Sequence, residues 1–529
     1  MARPDSMARP AARSDSRSDP HPGADRLPPL EIELKLAVPK AAGQALRQRL
    51  EAYGSQPALP VDSVYFDTGD RRLASQRAAL RVRRVDAPRP HWVQTFKTND
   101  APAALSQRGE WETQVQGPRL DRPSLSRSPL LQMLGDRPGR LAPVFRTRFE
   151  RTVREVQYNG ARIELALDEG EIVAGRRKEP IREIELELCD GASSALFGLA
   201  LDLVGRGRDA LALVPSIDSK AARGYRLAQH AGPHPISAGP DGFAGLLQPQ
   251  LSSAEAARRV VAHGVYRVLA NVQGAAVGED PEYVHQARVA LRRTRSALRV
   301  LATATAADDP IARDLRWMAD CFGQVRDWDV RLAHSLPALR RAIGSSDRAD
   351  DDAEWNRLLT RAKRRRHGQQ ERLRATLGSV RFARATLRLL QWAHQPTPGA
   401  SITLAHLAPR AIERGHRRLI AAGRDLSGLS ARGRHRLRIL AKRQRYALEL
   451  LAPVLPEGVA GRTLKLLSRL QQTLGEINDV HMAVLILPSL TRSPELLRRT
   501  QRWSARNLRH HVPKAAALVD RLERRGSGL

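Results

Sequence analysis

The stretches EIELK, Glu31–Lys35, and EIELEL, Glu183–Leu188, decide the fold of the N-terminal half. In both, charged residues alternate with Ile or Leu at the period of a β-strand, so the charges share one face and the aliphatic side chains the other. The same parity recurs between them, with Arg81 and Arg83 in LRVR, Arg108, Glu110 and Glu112 in RGEWE, Arg146 and Arg148 in FRTR, and Glu164 and Asp168 in IELALD. A single such segment is ordinarily an antiparallel strand with a solvated face. Six that mix both signs suit a sheet closed with its charged face inward, around a polyanion bound through divalent cations.

The strand pattern runs from Leu30 to about Leu227, with helical stretches at Lys40–Tyr53 and Ala192–Val204. It ends at AGPHPISAGPDG, Ala231–Gly242, whose Pro and Gly content reads as a linker unable to hold a helix. Beyond Leu246 the chain reads as Leu/Ala/Arg helices broken near Asp308, Gly344, Pro396, Gly428, Pro456 and Pro494. The fold class expected is therefore α+β in two domains: a closed, antiparallel, eight-stranded β-tunnel with flanking helices, then an all-α duplicated bundle. The boundaries are a disordered tail over 1–28, the tunnel over 29–229, a linker over 230–247, and the bundle over 248–520, with repeats of about 248–400 and 401–520.

The duplication is explicit. HQARVALRRTRSALRV from His285 aligns without gaps on HRLRILAKRQRYALEL from His435, and FGQVRDWDV from Phe322 aligns on LGEINDVHM from Leu474. In the first copy His285, Arg288, Arg292, Arg295 and Arg299 recur at spacings of 3 and 4, one stripe of a helix. In the second, His435, Arg438, Lys442 and Arg445 repeat it. Like charges so spaced repel by about 0.2–0.5 kcal/mol per pair, so the stripes call for an anion. A solvated basic face is the plain alternative for either stripe alone; the matched pair favours a basic channel for a linear polyanion.

The formal net charge of the 529 residues is +32, and most of the excess lies after residue 250. This points to an acidic partner. Few aromatic residues interleave with the stripes, and RNP, zinc-finger and KH patterns are absent, which argues against nucleic acid. With two cysteines, no secretory h-region and no apolar run near twenty residues, the chain reads as cytoplasmic, with no membrane span.

Residues 30–227 resemble a CYTH domain, the triphosphate tunnel metalloenzyme family. Glu31, Glu33 and Lys35 match its ExExK strand, followed in order by YFDT (Tyr65–Thr68), LRVR, QTFK ending at Lys97, RGEWE, FRTRFERT (Phe145–Thr152), IELALDEG (Ile163–Gly170), EIELEL and SKAARGYRL (Ser219–Leu227). Residues 248–520 resemble a CHAD domain, a helical module associated with polyphosphate, on the motifs HxxRVxxRRxR, RDxDV and KRxRYALE. The order of the two is that of bacterial inorganic triphosphatases. The resemblance implies hydrolysis of tripolyphosphate to pyrophosphate and phosphate. Lys35, Arg81, Arg83, Lys97, Arg108, Arg146, Arg148 and Lys220 would grip the phosphates. Glu31, Glu33, Glu110, Asp168, Glu183 and Glu185 would hold Mg²⁺ or Mn²⁺, and Glu33, Lys35 and Glu187 would act in catalysis. The nine stripe residues would bind polyphosphate, their histidines adding charge below about pH 6.5. Taken alone, each acid is equally a salt-bridge partner for a tunnel Arg. Three alternatives remain: a class IV adenylyl cyclase, a hydrolase of another organic triphosphate, and a non-catalytic polyphosphate scaffold. On the leading reading the activity resides in residues 30–227, so a fragment ending near Gly232 stays active.

Overall fold

The computed structural model describes residues 30–85, 90–98, 105–127, 129–134, 140–301, 309–343, 349–397 and 402–526. The 1–28 tail and the helix breaks near Asp308 and Gly344 lie outside them. The strands are β1 (Leu30–Ala37), β2 (Leu59–Asp67), β3 (Ala79–Val85), β4 (His91–Lys97), β5 (Ser106–Val115), β6 (Ala142–Tyr158), β7 (Ala161–Ala174), β8 (Arg177–Asp190) and β9 (Val214–Pro215). They form one antiparallel sheet in the order β5-β4-β3-β2-β6-β7-β8-β1-β9. Along one side β1 bonds β8 through Glu33–Ala37; along the other it bonds β5 through Leu30–Glu33 and β9 through Leu36–Ala37. The expected closed eight-stranded tunnel is thus corrected to a nine-stranded sheet. Its first strand is shared between β5 and the short β9 instead of sealing to β5 along its length.

Strand parity follows the sequence where the charges alternate strictly. In β8, Ile184 and Leu186 are buried on the aliphatic face, and in β1, Leu34 and Leu36 are fully buried there. That face is covered by α4 (Ser194–Val204), whose residues Ala195–Ala200, Leu203 and Val204 are all buried. A helix that leaves only Ser194, Leu201 and Asp202 unburied must be covered on more than one face. Its second neighbour is a helix of the C-terminal half.

The remaining helices near the sheet are α1 (Gly43–Glu51), α2 (Arg72–Ser75), α3 (Leu130–Leu134) and α5 (Lys220–Gln229). Next come α6 (Pro240–Ala244), α7 (Ser253–Val277), α8 (Pro281–Leu301), α9 (Pro310–Val330), α10 (Leu336–Ile343), α11 (Ala349–Leu377) and α12 (Val380–His394). The chain ends in α13 (Leu404–Gly423), α14 (Ala431–Leu451), α15 (Val459–Ile486) and α16 (Pro494–Arg525). Pro494 opens α16 rather than breaking a helix, since the first helical position needs no N–H. The aligned motifs fall on equivalent elements, the stripes on α8 and α14 and the second motif on α9 and α15.

The connecting segment departs from expectation. It holds a helix, α6, which begins at Pro240, again a proline in the first turn. The residues before it are fastened: the Asn271 side chain accepts from the Ile236 amide at 3.0 Å and donates to the Ile236 carbonyl at 3.0 Å, and the Ala238 amide donates to Gln286 at 2.8 Å. The two halves also share one apolar core. Helix α12 packs on α4, with the Phe197 and His394 rings 4.9 Å apart and Arg384 donating to the Gly205 carbonyl at 2.6 Å.

Candidate active site and anion cleft

The charged face of the sheet lines a cavity of about 660 Å³. Glu31, Glu33 and Lys35 of β1 enter it from one side, and Glu185 and Glu187 of β8 from beside them. Arg81 and Arg83 of β3, Lys97 of β4, Glu110 and Glu112 of β5, Arg151 of β6 and Glu164 of β7 also line it, and Lys220 reaches in from the first turn of α5. Ser219 caps that helix by accepting from the Ala222 amide, which fixes the position of Lys220.

Beside the cavity Asp168, Glu183 and Glu185 lie with carboxylate oxygens within 4.8 Å of one another, a spacing that a metal ion can use. Cations of the chain already meet them. Lys220 Nζ is 2.6 Å from Asp168 and 2.9 Å from Glu185, and it also pairs with Glu183. Arg151 holds Asp168 through two bonds of 2.8 and 2.7 Å and Glu185 through one of 2.6 Å, while Arg223 donates to Glu183 at 2.9 Å. Lys35 pairs with Glu185, Glu33 and Glu183. Burial would raise the Glu185 carboxyl, but Lys220, Lys35 and Arg151 outweigh it and hold it well below the usual range.

Two other parts of the cavity are not balanced in this way. Burial pushes Glu110 up to about 7 against the pull of Lys97, with Glu31 adding to the rise. Glu187 is likewise pushed up to about 7 by burial and by Glu31 and Glu164. Lys97 lies 3.0 Å from Glu31 and 2.8 Å from Glu110. On β3 the imbalance has the opposite sign. Burial, with Arg81 and Arg151 nearby, pushes Arg83 down to about 9, and the buried Nε–H groups of Arg81 and Arg83 have no hydrogen-bond partner. The two corners meet at Glu110, 4.0 Å from Arg81, and at Glu112, whose carboxyl burial would raise but which Arg81, the Thr95 hydroxyl and Arg83 hold below its ordinary value.

Arg146 and Arg148 do not reach the cavity. They lie on the opposite face of β6, where both pair with Asp62 of β2, Arg148 at 3.7 Å. Phe145, Thr147, Phe149 and Arg151 hold the inward positions. The reason is an apolar plug: Phe145 stacks on Tyr65 at 4.4 Å and meets Tyr225 edge-on at 5.1 Å. The phosphate-binding assignment of Arg146 and Arg148 is therefore corrected, and Arg151 is the cation that sequence parity missed. The side chain of Arg108 lies outside the described residues.

In the helical half, α8 and α14 bring the stripes together. Arg292 and Arg445 lie over the Tyr446 ring at 5.3 and 5.1 Å. Burial and the neighbouring Arg438, Arg292, Arg288 and Arg445 push Lys442 down to about 7. The buried Nε–H groups of Arg292, Arg438 and Arg445 have no partner. Arg295 and Arg299 face a second cluster with Arg316 and Arg443, and burial with these neighbours pushes Arg299 down to about 10. The copies differ at their histidines: His435 bonds Asn478 at 2.9 Å, whereas burial and Arg326 hold His285 below its ordinary value. His285 is thus not the added charge expected just below pH 6.5.

Residues 29–213 match the CYTH domain model and residues 259–488 the CHAD domain model. The chain carries a CYTH domain followed by a CHAD domain. The inorganic triphosphatase of Haemophilus influenzae is 34% identical over 203 residues, which cover 37% of this chain and 54% of that protein. The chain thus spans about half the length of this curated relative. Among solved structures, the CHAD domain from Ricinus communis is 26% identical, over 55% of this chain and 96% of that one, with a TM-score of 0.46. A putative adenylyl cyclase from Hippeastrum, described as having a dominant triphosphatase activity, is 23% identical over 37% and 95% of the two chains, with a TM-score of 0.29. Among the described residues, no helix is long and apolar enough to cross a membrane.

Proposed function

We propose that the CYTH cavity is the active site of a metal-dependent triphosphatase that cleaves tripolyphosphate into pyrophosphate and phosphate, and that the CHAD cleft binds polyphosphate. The observation that carries the reading is a set of unsatisfied groups in one cavity. The buried Nε–H groups of Arg81 and Arg83 have no partner and suit phosphate oxygens, while burial and neighbouring carboxylates push Glu110 and Glu187 up to about 7. A polyanion with a divalent cation satisfies both. Glu31, Glu33 and Glu110 are hard oxygen donors suited to Mg²⁺ or Mn²⁺, as are Asp168, Glu183 and Glu185, the acids that lie within metal-binding distance of one another among the described residues; in both sets a bound ion would displace lysine or arginine partners. The ion would neutralise charge on the bridging phosphate oxygens. Arg81, Arg83 and Lys97 would orient the chain, with Lys35 and Lys220 at its other side. Glu187, near 7, can accept a proton from the attacking water at neutral pH.

Phosphate release from tripolyphosphate, ATP, thiamine triphosphate and long-chain polyphosphate, with and without Mg²⁺, tests the reading. Metal-dependent turnover fastest on tripolyphosphate is expected; cyclic AMP formed from ATP would assign a cyclase instead.

The raised acids give a pH-dependent signature. In the folded state Glu110 and Glu187 retain protons that ordinary carboxyls lose near 4.5, so the stability they contribute is lost as pH rises through about 7. A divalent cation competes with those protons. Mg²⁺ should therefore raise the Tm more at pH 8 than at pH 5.5, and equal shifts would mean that the ion binds elsewhere.

In the CHAD cleft, Arg292→Glu with Arg295→Glu should weaken long-chain polyphosphate binding by about 100-fold, at roughly 1.5 kcal/mol per lost charged contact. Lys363→Glu with Arg364→Glu, on the exposed face of α11, makes the same charge change outside the cleft. Equal losses would reduce the stripes to net charge alone. Because Lys442 sits near 7, anion binding at pH 8 should also take up a proton, readable by calorimetry in buffers of different ionisation enthalpy.

A further inference from the structure

The wall of the CYTH cavity is not made by the CYTH domain alone. Tyr266, Leu269, Ala270 and Gln273 of α7 line it, spaced as one helix face, together with Pro233 and Ile236 of the connecting segment. This face is fixed. Asn271, fully buried, ties α7 to Ile236, and the Tyr283 hydroxyl of α8 donates to the Pro233 carbonyl.

Its chemistry differs from the rest of the cavity. Opposite the acids and cations of the sheet it offers an aromatic ring with its hydroxyl, aliphatic groups, one amide and, on the connecting segment, the imidazole of His234. The nearby cation Arg226 is held by Asp218 through bonds of 3.2 and 2.8 Å. Arg77, between α2 and β3, also lines the cavity, from a left-handed backbone with φ of 59°. A phosphate pressed past Arg77 against Leu269, Ala270 and Ile236 would lose water and find on this face of α7 only the Tyr266 hydroxyl and the Gln273 amide as donors, with no lysine or arginine, a cost that grows with each added charge.

We propose that the CHAD helix α7 is the chain-length stop of the CYTH cavity: the Tyr266–Gln273 face sets how many linked phosphates the cavity accepts. Arg77 meets the last one. The proposal rests on the cavity being a polyphosphate site, and it makes the second domain a part of substrate selection as well as a separate binding module.

The test uses the full chain with inorganic tripolyphosphate and linear tetrapolyphosphate, comparing wild type with Tyr266→Ala, which opens the wall, and Gln273→Lys, which adds a cation at an exposed position. Wild type should prefer the shorter chain. Each variant should raise the ratio of kcat/KM for tetrapolyphosphate over tripolyphosphate by about tenfold, mainly through KM, since one satisfied phosphate contact is worth about 1.4 kcal/mol. An unchanged ratio in both variants, with wild-type Tm, overturns the proposal. Metal-free calorimetry with the same two anions separates this from failure of the activity. If the protein turns over neither but the affinity ratio shifts as described, the stop stands and the triphosphatase reading falls. Equal affinity for both lengths in all three proteins overturns the stop, and no binding of either overturns both.

Discussion

A fragment ending at Gly232 should be insoluble or molten, with no measurable tripolyphosphate hydrolysis. Cutting there removes α12 from α4 and β9, and α7 from the cavity wall. Eight of the eleven residues of α4 are buried, so the face that α12 covers would be left in water. Each large side chain uncovered costs about 1.5–3 kcal/mol, and a handful of them equals the whole stability of an ordinary domain. This reverses the expectation from sequence that residues 30–227 suffice. Gel filtration, near-UV circular dichroism and phosphate release on the fragment check it; a monomeric, cooperatively folded and active fragment would show the interface to be dispensable.

Glu33→Gln and Lys35→Ala should fail in different ways. Glu33 lines the cavity and is buried, so exchange for the isosteric amide removes an anionic oxygen donor while keeping the shape. Turnover should fall by at least roughly 100-fold with little change in Tm, and added metal should restore part of it. Lys35 is a structural hub as well as a proposed phosphate contact. Burial lowers its pKa, but Glu185, Glu33 and Glu183 outweigh this and raise it. Lys35→Ala removes one of the cations around these carboxylates, while Lys220 and Arg151 still hold Glu185 and Lys220 and Arg223 still hold Glu183, so it should cost about 1.5–3 kcal/mol of stability, largest at neutral pH and smaller in acid as the carboxyls protonate. Kinetics and chemical denaturation of the two variants distinguish the cases, and wild-type turnover in Glu33→Gln would place Glu33 outside the chemistry.

Strict alternation made β1 and β8 legible. At Glu31, Glu33 and Lys35, and at Glu183, Glu185 and Glu187, one register puts the aliphatic residues under α4 and the charges together in the cavity, and the other would press the charges against that apolar helix. Arg146 and Arg148 show where that logic stops. Their strand is long, its inward positions at that end hold the aromatic plug, and Asp62 offers the arginines an outward partner. Charge on one face identifies the face and leaves open which side of the sheet it occupies. Arg151 was readable only by continuing the parity of Phe145 and Phe149 along the strand. The shared core had a signal in SALFGLALDLV, apolar apart from Ser194 and Asp202, although the sequence does not say which distant helix covers it. The facing of the two stripes followed from the repeat. Their division into clusters around Tyr446 and around Arg316 depends on helix packing and had no local signal.

The central claim is that the CYTH cavity cleaves a phosphoanhydride with help from a divalent cation. Phosphorus NMR of tripolyphosphate incubated with the full chain tests it most directly, with Mg²⁺ in one sample and chelator in another. One pyrophosphate and one phosphate per tripolyphosphate, with Mg²⁺ only, is the predicted result. Tripolyphosphate that binds with Mg²⁺ present but stays intact would contradict the account and make the cavity a receptor.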